Sequence, residues 1–512
     1  MNLTNSIQEE EILVANQSFY QSFRMGDLPE MKKMWSQKFP VSCIHPGHPP
    51  LLDYEEIIQS WEKILQQSGN VDIKCLNPSL SLYSQFALVT CYEEVSGNHL
   101  IATNGFILED DSWKMVLHQA GPTVGRPDIN TVDIESEFIN ENYIHLHHAK
   151  HFMKAAVCRE FGKPWTIEDI QLASPGPREI RVKIKACAIC HSDISYADGI
   201  WGGKLPAVFG HEASGTILET GNEVTEFSIG DPVIVTLLRH CGSCFFCSSG
   251  EAPLCDSHFP LYDQSPISTI EGETLLQGLR TGAFAEEVVV DVSQAASIPE
   301  NMPFDSASLL SCGVITGAGA VINTAAMQPE SNAVVIGCGG VGLNCLQGAK
   351  IVGADPLIAV DLHPDKLQTA MEFGATHAFS SKEEDLSEKI RTLTQGRGAD
   401  YVFVSVGNIQ AMLQGFELLR RAGTLVVAGM TGVGEKLPLE AIDIGDNAVR
   451  IMGSKMGSTD LKRDMPQWIR HYQDGKLKLD ELITDRYPLD RINEAVEAVK
   501  KGNVMRNVIV FD

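Results

Sequence analysis

The sequence predicts a multidomain α/β protein: an N-terminal α+β unit, then a β-rich, barrel-like unit interrupted by a doubly wound parallel sheet. Three observations carry this. Helical periodicity at the N-terminus gives way to a series of strand-like runs, the order of an α+β unit. From Met153 onward the strands are short and broken by glycine-rich turns, the pattern of a barrel. From about Val314, strands rich in Val and Ile alternate with helices and show little in–out alternation. That is expected where helices cover both faces of a parallel sheet.

The first unit covers residues 1–123. Ile7, Ile12, Leu13, Ala15, Phe19 and Phe23 recur at helical spacing, and further helices are expected over 28–35 and 54–67. VDIKCLNPSLSL, QFALVTCYEEV, HLIATNGFIL and SWKMVLHQA then read as an antiparallel meander. Residues 124–151 are polar and hold His145, His147, His148 and His151. A histidine tract can bind metal, but without a matching ligand set this one reads as a solvated connector. The second unit, 152–313, carries REIRVKIKACAIC, ASGTILETG, DPVIVT and AEEVVVD. The third, 314–453, carries NAVVIGCG, LIAVDL, YVFVSVG, TLVVAGM and VRIMGS. Residues 454–512 return to the second unit and end in the strand NVIVFD.

At 512 residues the chain exceeds what one core organises, and 44% hydrophobic with 21% charged residues is ordinary for a globular protein. A formal charge of −26 disfavours a nucleic-acid partner or an anionic membrane surface. The N-terminus lacks a basic region followed by an apolar one, and no apolar run is long enough to span a bilayer. A cytoplasmic location is expected. Cys43, Cys75, Cys91, Cys158, Cys187, Cys338 and Cys345 stand singly, mostly in apolar runs, and read as buried thiols.

The other six cysteines sit in metal-type settings. Cys241, Cys244, Cys247 and Cys255 lie close together in CGSCFFCSSGEAPLC. Four thiolates about 2.3 Å from a tetrahedral zinc ion fill every position, which makes such a site structural. Cys190, His211 and Cys312 form a different set, with three protein ligands and one open position, the arrangement of a catalytic zinc.

A nucleotide site is expected over 331–361. Gly337, Gly339 and Gly342 form GxGxxG directly after the strand AVVIG and directly before a helix. The first glycine makes the turn, the second admits a pyrophosphate and the third lets helix and sheet approach. The phosphates would rest on the helix N-terminus. Asp361, at the end of the next strand, can accept from the ribose hydroxyls and would repel a 2′-phosphate, which favours NAD over NADP.

Taken together, AICHSD, GHEASG, CGSCFFC with Cys255, SCGVITG, GCGGVG and VDLHPDK make residues 153–512 resemble a zinc-dependent alcohol dehydrogenase of the medium-chain dehydrogenase/reductase family. The resemblance implies a GroES-like catalytic barrel split by a Rossmann domain. It implies that Asp193 orients the ligating His211, that Glu212 is an acid near the metal and that Ser192 takes the alcohol proton. His191 and Arg506 would contact the cofactor pyrophosphate, with Gly340 and Val341 in the same loop. Thr316 would lie near the nicotinamide and Lys366 near the adenosine ribose. In many relatives a proton relay ends on a histidine three positions after the serine; here that position is Ser195. Cys312 in place of a glutamate disfavours the polyol branch. The long stretch from Cys255 to Phe284 matches dimeric relatives, and pairing through edge strands of the nucleotide sheets is expected.

Residues 1–123 resemble the SnoaL-like branch of the nuclear transport factor 2-like superfamily, on CIHPGHPPL, EIIQSWEKIL, IATNGFIL and SWKMVLHQAGP. This implies a curved sheet and helices forming a cone-shaped pocket. His45, Thr103, Asn104 and His118 are placed near that pocket; the competing reading is that His45 and Asn104 simply hydrogen-bond turns and strand ends. The expected whole is a dehydrogenase moving a hydride between a primary alcohol or aldehyde, aryl or medium-chain, and NAD. Two zinc ions per chain, an accessory N-terminal domain for ligand binding or dimerisation, and a homodimer or higher oligomer complete it. The alternatives are an N-terminal domain that isomerises or hydrates a related compound, and a non-catalytic scaffold.

Overall fold

The computed structural model describes residues 3–46, 48–68, 73–83, 86–95, 98–109, 112–123, 151–502 and 504–512. The histidine tract falls outside them, except for the backbone of His151. The chain divides into two compact units, Met1–Tyr143 and Ile144–Asp512.

In the first unit, helices Leu3–Met25, Leu28–Met34 and Tyr54–Ser68 accompany a five-stranded sheet. Asp27 caps the second helix by accepting from the Glu30 N–H at 3.0 Å. The strands Ile73–Tyr83, Phe86–Val95, Asn98–Glu109 and Ser112–Pro122 form the antiparallel meander. A fifth, Ser42–Ile44, joins its edge parallel to Ser112–Pro122. Only three residues long, between Pro40 and Pro46, it leaves no periodicity to read. Ile12, Phe19, Ile57, Trp61, Val89, Ala102, Phe106 and Met115 build the core.

In the second unit, Glu179–Ala188 pairs with Glu212–Thr220, Glu287–Asp291 and the last strand, Arg506–Val510. The chain therefore returns at its end to the sheet where this unit began. Beside it, His151–Cys158, Thr166–Leu172, Ala207–Val208, Ile267–Thr269 and Thr274–Gln277 close a small barrel. The six-stranded sheet runs His377–Ser380, Leu357–Asp361, Ala333–Ile336, Ala399–Val404, Leu419–Val427, Arg450–Gly453, with every pair parallel. Numbered along the chain this is 3-2-1-4-5-6, the Rossmann order, whose ligands bind beyond the carboxyl ends of the strands where the order reverses. Every residue of Ala333–Ile336 and Leu357–Asp361 is buried, which explains their unbroken apolar character. One apolar cluster runs from Ala186 and Ile234 on the mixed sheet to Val314, Leu343 and Phe403 around the parallel one. Among the described residues no single helix is long and apolar enough to cross a membrane.

Candidate active site

Both predicted metal sets converge. The ligand atoms of Cys190, His211, Glu212 and Cys312 lie within 4.8 Å of one another, all in buried residues. Cys190 stands just before helix His191–Ala197 and Cys312 just before helix Gly313–Gly319. His211 and Glu212 sit at the start of strand Glu212–Thr220. Asp193 ties these segments together. Its carboxylate accepts from His211 Nδ1 at 2.9 Å, Gly210 N at 2.9 Å and Cys190 N at 3.2 Å. The first bond leaves His211 Nε2 as the ligating nitrogen. Nε2 lies 3.3 Å from Cys312 Sγ, close to the ~3.6 Å that a tetrahedral zinc imposes on a nitrogen and a sulfur ligand.

Glu212 is fully buried, and neither of its oxygens has a hydrogen-bond partner among the described residues. Burial pushes its carboxyl up to about 8, against the pull of Arg506, whose Nη2 is 3.4 Å away. A buried carboxylate without a hydrogen bond, beside two thiols and an imidazole, fits a divalent cation. Ser192 follows in the first turn, half-buried.

The second set, Cys241, Cys244, Cys247 and Cys255, also clusters within 4.8 Å. Cys241 and Cys247 sulfurs are 4.0 Å apart and those of Cys244 and Cys255 3.8 Å, near the ~3.8 Å edge of a zinc tetrathiolate. Ser257 Oγ and the N–H groups of Ser243 and Cys244 donate to Cys241, bringing its thiol down to about 5. The donor chemistry fits zinc at both sites.

The glycine loop has the expected geometry. Gly337 takes φ +94°, and a Cβ on Gly342 would lie 1.7 Å from the Gly337 carbonyl oxygen. A Cβ on Gly339 would meet nothing within 4 Å, which leaves open space where a pyrophosphate would come. Helix Gly340–Val352 starts here, with Val341 in its first turn. Asp361 accepts from the N–H groups of Cys338 at 2.6 Å and His363 at 2.9 Å, which fixes its carboxylate at the end of the second strand. Lys366 follows in helix Pro364–Glu372. Arg506 is wedged where the two halves of the site meet. A Cβ on Gly313 would come within 2.5 Å of its Nη2, and one on Gly340 within 2.6 Å of its Cζ. His191 is held below the usual imidazole range by desolvation and then by Arg506 and Lys366, against Cys190. Three basic groups thus converge beside the glycine loop.

Thr316 Oγ1 is 3.8 Å from Cys312 Sγ. Met456 completes this wall, its sulfur 3.8 Å from Cys312 Sγ and 3.6 Å from Thr316 Oγ1. No sequence signal pointed to Met456, because it joins the site from 144 residues away.

In the first unit, Asn104 Nδ2 donates to Asn16 Oδ1 at 2.7 Å and to Tyr20 OH at 3.0 Å. Tyr20 OH donates to Glu93 Oε1 at 2.8 Å. Asn104 Oδ1, 2.7 Å from His118 Nδ1, therefore accepts from it. Burial pushes Glu93 up to about 7 and His118 down to about 3. His45 lies beside this network, with Nε2 2.9 Å from Ser60 Oγ and its ring 6.3 Å from that of His118. Thr103 is not part of it. The alternation of strand Asn98–Glu109 turns Thr103 to the face opposite Asn104, correcting the expectation that all four residues gather.

Comparison with known proteins matches an alcohol dehydrogenase GroES-like domain at residues 176–300 and a zinc-binding dehydrogenase domain at 340–474. A SnoaL-like domain matches at 12–124. Alcohol dehydrogenase-like 7 of Arabidopsis thaliana is 34% identical over 373 residues, covering 70% of this chain and 94% of its own length. Putative alcohol dehydrogenase D of Mycobacterium tuberculosis is 33% identical over 364 residues, 70% of this chain and 99% of its own. The crystal structure of benzyl alcohol dehydrogenase from Acinetobacter calcoaceticus superposes with a TM-score of 0.66 at 31% identity. It covers 71% of this chain and 100% of that one.

Proposed function

The chain belongs to the zinc-dependent alcohol dehydrogenases, carrying a SnoaL-like domain ahead of the dehydrogenase part, and from this we propose that it moves a hydride between a primary alcohol and NAD. The observation that carries the reading is the buried quartet Cys190, His211, Glu212 and Cys312, which Arg506 joins to the glycine loop, lying 3.4 Å from Glu212 and packing against Gly340. Zinc held there would supply Lewis acidity, making an alcohol oxygen easier to deprotonate. Asp193 keeps His211 in the ligating tautomer. Glu212 would offer a carboxylate oxygen as a fourth ligand beside two sulfurs and a nitrogen. Ser192, in the turn after Cys190, is placed to hold the alcohol proton. With Ser195 where many relatives carry a histidine, that proton leaves through water or another group, since a serine is no base near neutral pH.

Gly337, Gly339, Gly340, Val341 and Gly342 line the pyrophosphate position, with Arg506 and Lys366 supplying positive charge and the neutral imidazole of His191 a hydrogen-bond donor. Thr316 stands on the nicotinamide side. Asp361 favours NAD, because a 2′-phosphate would meet its carboxylate. Aryl and medium-chain primary alcohols are the substrates we favour; the likeness to a benzyl alcohol dehydrogenase supports this. A cytoplasmic setting agrees with thirteen free thiols. For assembly we favour a homodimer through Arg450–Gly453, the edge strand of the parallel sheet. The segment before it exposes Met430, Val433 and Ile442.

The test is alcohol-dependent formation of reduced cofactor, measured with NAD and NADP across a panel of primary alcohols. Turnover with NAD at higher kcat/KM than with NADP is expected, and Asp361→Ala should narrow the ratio by about tenfold or more. A zinc-loaded protein that oxidises no alcohol with either cofactor would refute the reading.

A further inference from the structure

One wall of the second unit gathers positive charge that, among the described residues, no carboxylate pairs directly. Arg239 is 2% exposed. Its Nε donates to Gln294 Oε1 at 2.7 Å and its Nη2 to the Arg280 carbonyl at 3.0 Å. Its buried Nη1 has no hydrogen-bond partner among the described residues. The Arg239 guanidinium lies 5.0 Å from the centre of the Tyr262 ring, and Arg280 covers the same ring at 5.2 Å. Lys455 is exposed, and desolvation followed by Arg280 holds its ammonium below the usual lysine range. Among the described residues none of the three forms an ion pair. Asp291 and Glu179 act on Arg239 from beyond ion-pair contact, a separation of more than ~4 Å. In a chain of net charge −26, such a local excess of unpaired cations stands out.

Two contacts place this charge beside the metal site. The turn Gly278–Arg280 packs against helix His191–Ala197, which carries Ser192. Lys455 directly precedes Met456, whose sulfur touches Cys312. Both loops hold non-glycine residues in the left-handed region: Leu279 at φ 51° and Arg280 at 64°, Met456 at 50° and Ser458 at 49°. Such backbone persists only where the surroundings fix it, and it clusters at ligand sites.

We propose that Arg280 and Lys455 select alcohols and aldehydes bearing a carboxylate on the part of the molecule away from the reacting carbon, with Arg239 as the buried residue that holds the Arg280 turn. This rests on the dehydrogenase reading above and names its substrate class. Cations crowded together repel one another, and a bound carboxylate relieves that repulsion while gaining charge-assisted hydrogen bonds.

The experiment compares kcat/KM for 4-(hydroxymethyl)benzoate and benzyl alcohol, using the full chain as wild type, Lys455→Met, Arg280→Met and Arg280→Lys. Wild type should prefer the carboxylate by about tenfold or more, chiefly through KM, and added salt should erode the preference. Each methionine variant should cut that ratio severalfold, while Arg280→Lys keeps most of it. Equal use of both alcohols, or a ratio unmoved in both methionine variants, overturns the inference and leaves the dehydrogenase reading standing. Zinc loss in Lys455→Met with an unmoved ratio would instead assign the cations to balancing the thiolates around Cys255, and also overturns it. Oxidation of neither alcohol by zinc-loaded wild type sinks both.

Discussion

The two units bury polar groups in opposite ways. In the first, Asn16, Tyr20, Glu93, Asn104 and His118 satisfy one another in a closed chain. In the second, Glu212 has no hydrogen-bond partner among the described residues, and two thiols and an imidazole lie around the same small volume. A self-satisfied network specifies a core. An unsatisfied, convergent one costs stability unless something outside the chain completes it. The contrast points to the second unit for the alcohol chemistry. The alternative of a second catalytic activity in the SnoaL-like domain draws no support from this network, although the indole N–H groups of Trp35, Trp61 and Trp113 are buried without a partner among the described residues.

Substitutions sharpen the contrast. The largest effect belongs to Cys190→Ala. Loss of alcohol oxidation on the order of 10³-fold, or ~4 kcal/mol in the barrier, is expected from steady-state assay. A variant retaining a tenth of wild-type rate would break the assignment. Asp193→Asn keeps the shape but weakens the hold on His211, so zinc affinity or kcat should fall roughly 10- to 100-fold, read by competition with a chelator. The same kind of change in the first unit should act on stability instead. Asn104→Ala leaves His118, Tyr20 and Asn16 short of partners and should lower the unfolding free energy of that unit by about 3 kcal/mol, with alcohol oxidation within twofold of wild type.

A smaller effect follows from Glu93. Burial raises its carboxyl to about 7, so the folded unit favours the protonated acid. That stabilisation is complete below the ordinary carboxyl range and is lost as pH rises through about 7. Thermal or urea unfolding should show the first unit losing on the order of 2 kcal/mol between pH 5 and 8. Glu93→Gln should flatten the profile; an unchanged slope would show that Glu93 is not buried as an acid.

Much of this was legible in the sequence because the signals are local. The four cysteines of the zinc lobe lie within fifteen residues, and GxGxxG with Asp361 spans one strand–helix–strand unit. The catalytic trio was legible only through the combination, since its members are up to 122 residues apart. What stayed hidden depends on distant backbone meeting distant backbone. Met456 reaches Cys312, and Arg506 fits between Gly313 and Gly340, only because the last 59 residues return to the first sheet of the unit. Tyr20 and Glu93, 73 residues apart, leave no periodic trace of their bond. Thr103 was misplaced although the strand period alone separates it from Asn104.

The zinc content of the purified full chain tests the centre of this account most directly. Wild type should hold two zinc ions, with one remaining in Cys190→Ala and the other in Cys241→Ala. A single ion in wild type, or two retained after Cys190→Ala, would contradict it.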